Sequence, residues 1–98
     1  MNIFNFFSRD KSPIKKLREG GLVYSCDGKQ YYIDSNNQIG SQKKYIKISG
    51  SDIREVEYVN NVFKSYSDIL PKDERKKIVL NIKNILIEEG FEVDVISQ

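Results

Sequence analysis

Asp27-Gly28 lies between two short runs, Leu22-Val23-Tyr24-Ser25-Cys26 and Lys29-Gln30-Tyr31-Tyr32-Ile33. A two-residue hairpin loop needs positive φ at both positions, which Asp and Gly adopt with little strain, and its twist matches that of the strands it joins. The loop fixes the register: Cys26 faces Lys29, Tyr24 faces Tyr31 and Leu22 faces Ile33. Side chains alternate across a strand pair, so Leu22, Tyr24, Tyr31 and Ile33 share one side, which we assign to the core. Val23, Ser25, Gln30 and Tyr32 take the other side, leaving Tyr32 at least partly exposed.

Downstream, Asp34 to Gln42 is a polar stretch that reads as a loop. Lys43-Lys44-Tyr45-Ile46-Lys47-Ile48-Ser49 alternates with period two, giving a third strand with Ile46 and Ile48 inward, ended by Ser49-Gly50-Ser51. Residues 52–70 carry conflicting signals. Val56, Val59, Phe63, Tyr66 and Leu70 recur at helical spacing, and Asp52 with Glu55 fits a capping box. Ile53 to Val59 is rich in β-branched residues, and Asn60-Asn61 has turn character. The reading favours a helical segment over 58–67, with 53–57 extended.

The C-terminal unit is clearer. Pro71 suits a helix start, Asp73 and Glu74 complement its dipole, and Gly90 provides a stop, so a helix is expected over 72–89. Ile78, Val79, Ile82, Ile85 and Leu86 fall on one face of it, while Leu80 and Ile87 fall on the opposite face. Phe91 to Ile96 then alternates strictly, placing Phe91, Val93 and Val95 inward and the acids outward.

These elements make an α+β fold: a small antiparallel sheet of about four strands, with one long C-terminal helix on one face, followed by a last strand. At 98 residues, with 39% hydrophobic and 31% charged, the chain has enough apolar material for one core. Ser12-Pro13 and Gly20-Gly21 are breaks, so residues 1–21 read as a basic leader or linker, with a short helix around Ile14 to Leu17, and residues 22–98 as the domain.

Composition removes several chemistries. With no His and only Cys26, His-based triads, His/Cys zinc clusters and an internal disulfide framework are excluded. No pair of titratable groups assembles into an acid/base site, and the glycines match neither a Walker nor a dinucleotide pattern. The chain therefore reads as non-enzymatic, with no cofactor and no metal. A net charge of +2 is too nearly balanced to indicate nucleic-acid binding, and although Lys43, Lys44 and Tyr45 form a faint cation–aromatic pattern, the favoured reading is a solvated edge strand.

The cluster that suggests work is Asp52, Glu55, Glu57, Tyr58, Tyr66 and Asp68, joined by Tyr32. Tyrosines anchor protein interfaces, and acids oppose a basic partner. The alternative is a polar loop with two core tyrosines.

In order, a strand ending in Ser51-Asp52-Ile53, a helix opening with Glu74-Arg75-Lys76-Lys77-Ile78 and a close in Gly90-Phe91-Glu92-Val93-Asp94-Val95 resemble bacterial immunity proteins of polymorphic toxin systems, most nearly the immunity protein 74 family. The resemblance spans roughly residues 21–97. It implies a non-catalytic inhibitor that binds the toxic C-terminal domain of a secreted or contact-delivered effector.

A second reading comes from the leader, where Ile3, Phe4, Phe6 and Phe7 precede Arg9, Lys11, Lys15, Lys16 and Arg18. An apolar patch followed by cations suits weak contact with an anionic membrane surface, as in a peripheral or adaptor protein. The favoured reading of the patch is a helical turn that docks on the domain or simply frays. The patch is far short of a membrane span and lacks the order of a secretory signal, so a cytoplasmic location is expected.

Overall fold

Period-two alternation and tight turns dominate the computed structural model, which describes residues 12–37 and 44–96. Six strands and one helix follow in the order β1 (Ile14–Lys16), β2 (Leu22–Cys26), β3 (Lys29–Asn37), β4 (Tyr45–Val59), β5 (Val62–Ile69), α1 (Lys72–Glu88) and β6 (Glu92–Ile96). Strands β1 to β5 form an antiparallel meander in chain order. After the helix, β6 returns to pair in parallel with Tyr45–Ser49 at the start of β4. The fold is thus α+β as expected, but with more than four strands, and the sheet is not wholly antiparallel.

The β2–β3 hairpin has the anticipated register, Leu22↔Ile33, Tyr24↔Tyr31 and Cys26↔Lys29. Its turn places Asp27 and Gly28 at φ 51° and 79°, the positive values such a loop requires. Leu22, Tyr24 and Ile33 are buried in the core with Ile46, Ile48 and Ile53 of β4. Ile78, Val79, Ile82 and Leu86 of α1 complete that core. Leu80 and Ile87 are exposed, as their position on the outer helical face implies.

Pro71 occupies the N-cap of α1, and Asp73 and Glu74 sit in its first turn. At the other end, the Gly90 N–H donates to the Ile87 carbonyl at 3.0 Å and the Phe91 N–H to that of Leu86 at 2.9 Å. This pair of bonds is the Schellman closure, and it reverses the chain into β6. Val93 and Val95 then face the core, while Glu92 and Asp94 are exposed, as the alternation predicts.

Four expectations are corrected. Ser49-Gly50-Ser51 does not end the third strand, because β4 runs for 15 residues. Its ladder with β3 instead jumps from Ser35↔Ile48 to Ile33↔Ile53, so residues 49–52 bulge. Arg75 holds that bulge, with Nε donating to the Gly50 carbonyl at 3.0 Å and Nη1 to the Leu70 carbonyl at 2.6 Å.

Second, residues 58–67 are not helical but form the tip of the β4–β5 hairpin, turning at Asn60 and Asn61 with φ of 54° and 64°. Asn tolerates that left-handed region better than most residues, so the Asn-Asn pair fixes the hairpin where helical spacing suggested otherwise. No capping box exists, and the Asp52 carboxylate instead accepts from Arg54 Nε at 3.0 Å.

Third, Ile14–Lys16 is neither linker nor helix. It is an edge strand paired with β2, and Ile14, only 3% exposed, joins the core. Fourth, the polar stretch begins later than expected, since β3 continues to Asn37.

Candidate functional site

Helix α1 covers one face of the sheet, and the bulges decide what the other face displays. Along β4 the residues of this other face are Arg54, Val56 and Tyr58, two apart. Their cross-strand partners on β5 are Ile69, Tyr66 and Phe63, three apart, because each interval of β5 contains one extra residue. Two bulges thus gather three large apolar side chains of β5 on the face opposite the helix.

Tyr32 of β3 belongs to the same face, lying opposite Arg54 on one side and Val23 on the other. The Phe63 ring is the hub. It stacks on Tyr66 at 5.3 Å between centroids, meets Tyr58 at 4.6 Å and forms a T-shaped contact with Tyr32 at 5.6 Å with planes at 87°. Such offset and edge-on pairs are favourable arrangements of aromatic quadrupoles. Tyr66 is 59% exposed and Ile69 45% exposed, whereas Val23 and Val56 beneath are buried.

Polar groups frame the rings. Lys15 Nζ lies over the Tyr58 ring at 5.4 Å and donates to the Asn61 side-chain oxygen at the hairpin tip. The Gln30 amide donates to the Tyr58 carbonyl at 3.0 Å and accepts from its N–H at 2.8 Å, copying a backbone pair and setting the angle of Tyr58. Arg54 Nη1 donates to the Ser67 carbonyl at 3.3 Å. The Tyr32 ring packs so closely on Gly21 that a Cβ there would overlap it. Burial, reinforced by the Asp34 carboxylate, the nearby Tyr66 and Asp52, pushes the Tyr32 hydroxyl above its ordinary pKa.

The structure therefore divides the residues singled out in the sequence. Tyr32, Tyr58 and Tyr66 come together, through Phe63. Glu55 and Glu57 do not join them: they lie opposite Tyr31 and Ser65 and point to the helix side of the sheet. The effect of Glu55 on Tyr31, whose pKa is raised chiefly by burial, agrees with that placement. Asp52 sits in the β4 bulge with Arg54, and Asp68 lies exposed at the second bulge of β5. Phe63, Ile69 and Lys15 were missed as site residues; Phe63 appeared only as part of the helical stripe.

Among the remaining candidates, Lys44 Nζ lies 5.6 Å from the Phe91 ring centre, and the Tyr45 hydroxyl donates to the Asp94 carboxylate. That bond, more than burial, raises the Tyr45 pKa. The strand they begin is central, between β3 and β6, not the solvated edge expected. Cys26 is half-buried against the core, with Sγ 3.7 Å from an Asp27 carboxylate oxygen. Lys43 and the leader residues Ile3, Phe4, Phe6 and Phe7 lie outside the described residues.

No protein-family model, curated protein or solved structure matches the chain. No helix among the described residues is long and apolar enough to cross a membrane.

Proposed function

We propose that the chain is a non-catalytic binding protein that neutralises a bacterial toxin domain through the aromatic face centred on Phe63. One observation carries this reading: Tyr32, Tyr58, Phe63 and Tyr66 are in ring contact on the sheet face that α1 leaves bare, with Tyr66 and Ile69 exposed at its border. Tyrosine rings add contact area with little side-chain entropy to lose, and interface energy concentrates in such anchors. The rings are held in place by Gln30, Gly21 and Lys15, so little ordering remains to be done on binding. A standard interface of about 800 Å² per partner extends beyond the rings to Arg54 and the hairpin tip.

The resemblance to immunity proteins supplies the class of partner, the toxic C-terminal domain of a secreted or contact-delivered effector. The interface in this proposal is aromatic first, with Lys15 and Arg54 at its rim and the acids Glu55 and Glu57 on the other face. The test is affinity capture with the full chain from a lysate of its own organism, with partners identified by mass spectrometry. Stoichiometric, salt-resistant recovery of a domain that is toxic when expressed alone and harmless beside this chain is the expected result. Recovery of only membrane or nucleic-acid components, from a lysate that contains such a toxin, overturns it.

A further inference from the structure

A second surface, independent of the aromatic face, lies along β6. Among the described residues β6 pairs only with β4, and its other edge is open. In a parallel ladder alternate residues direct their backbone groups to the same neighbour, and Glu92 is turned toward β4, its N–H donating to the Lys44 carbonyl at 2.8 Å. Val93 and Val95 therefore point their N–H and C=O groups outward, an unpaired template for another strand. The other two edges are guarded: β1 is three residues long and carries Lys15 and Lys16, and β5 has Lys64 and two bulges. Glu92-Val93-Asp94-Val95-Ile96 has no Lys, no Pro and no irregularity in its pairing.

Beside this edge runs an open groove of about 570 Å³ lined by Lys76, Val79, Leu80, Lys83, Val93, Asp94 and Val95. Its apolar wall includes Leu80, which is 57% exposed. Lys76 and Lys83 flank Leu80 one helical turn away on either side, and neither makes an ion pair among the described residues. The carboxylates of β6, Glu92 and Asp94, alternate onto the other face of the strand, where Asp94 accepts from the Tyr45 hydroxyl and lies opposite Lys47. The groove thus joins an apolar wall to two lysines, against the single carboxylate of Asp94, which already accepts from Tyr45.

We infer that the open edge of β6 and its α1 groove form a strand-addition site for an extended peptide whose every second side chain is apolar or acidic. Backbone bonds to Val93 and Val95 supply the pairing, and Leu80, Lys76 and Lys83 read the alternate side chains. The test is selection from a displayed library of random decapeptides against the full chain, with a Leu80→Glu/Lys76→Glu/Lys83→Glu variant as counter-target. All three substitutions lie on the outer side of α1, and circular dichroism checks that the variant is folded.

Enriched peptides should alternate apolar or acidic residues with others, bind the variant at least tenfold more weakly, and lose at least tenfold on N-methylation of alternate amides. They should also slow hydrogen exchange at Val93 and Val95. Failure to enrich any peptide, equal binding to the folded variant, indifference to N-methylation, or protection at β5 instead of β6 overturns the inference. None of these outcomes touches the aromatic face.

Discussion

Loss of the Arg75 side chain should destabilise the fold although the residue is only partly buried. It is half-buried in the first turn of α1, and its guanidinium ties the β4 bulge, through Gly50, to the end of β5, through Leu70. Hydrogen bonds from a charged donor contribute roughly 1.5–3 kcal/mol each, and water reaching a half-buried group discounts them by about half. Two such bonds therefore give about 1.5–3 kcal/mol for Arg75→Met, much of it from leaving the carbonyl of buried Gly50 without its donor. In a domain of this size that is a fall of roughly 10–20 °C in Tm. Arg75→Lys retains the charge but cannot fork to both carbonyls, so it should lose about half as much. Urea unfolding followed by far-ultraviolet circular dichroism measures both variants, and an unchanged m-value keeps the comparison two-state. A Met variant within 0.5 kcal/mol of wild type would refute the view that this clamp holds the bulge.

Three further outcomes follow from the same geometry. Gly21→Ala places a Cβ against the Tyr32 ring at φ +92°, so it should destabilise the fold by roughly 2 kcal/mol or more and move Tyr32 off Phe63, visible as altered aromatic shifts by nuclear magnetic resonance. Asn60→Ala should cost about 1 kcal/mol because of its positive φ, whereas Asn60→Gly should be neutral or better in the same urea assay. Tyr24, Tyr31 and Tyr32, raised chiefly by burial, and Tyr45, raised chiefly by its bond to Asp94, all ionise later in the folded than in the unfolded chain. The stability they contribute is then fully present below pH 10 and lost as the pH climbs through their folded values, so unfolding free energy should be level up to about pH 10 and fall beyond it. Ultraviolet titration at 295 nm paired with unfolding curves tests this, and a rise in stability above pH 10 would contradict it.

The hairpin at Asp27-Gly28 was readable down to its register because a two-residue loop leaves one pairing that buries both apolar sets. Helix α1 was readable because its apolar stripe, acidic first turn and Gly90 agree with one another. The β4–β5 hairpin was not. Phe63, Tyr66 and Ile69 are three apart because β5 carries a bulge in each interval, and a strand with regular bulges imitates a helical repeat. Glu55 and Glu57 were grouped with Tyr58 and Tyr66 by nearness in the sequence, whereas a strand sends neighbouring residues to opposite faces. Asn60-Asn61 was the signal that could have settled it, because two adjacent residues tolerant of positive φ favour a turn over a helix interior. Residues 49–52 offered no such signal: their pairing depends on Arg75, which lies 25 residues from Gly50 in the chain.

The central claim, that the aromatic face binds a protein partner, is tested most directly by titration calorimetry of the captured toxin domain against three forms of the full chain. Tyr66→Ala/Ile69→Ser removes two exposed anchors and should leave stability nearly unchanged while weakening binding by at least about 100-fold. Glu55→Lys/Glu57→Lys alters the helix side and should stay within a few-fold of wild type. Undiminished affinity in the folded Tyr66→Ala/Ile69→Ser variant would contradict the account, and a large loss confined to the Glu variant would move the interface to the opposite face of the sheet.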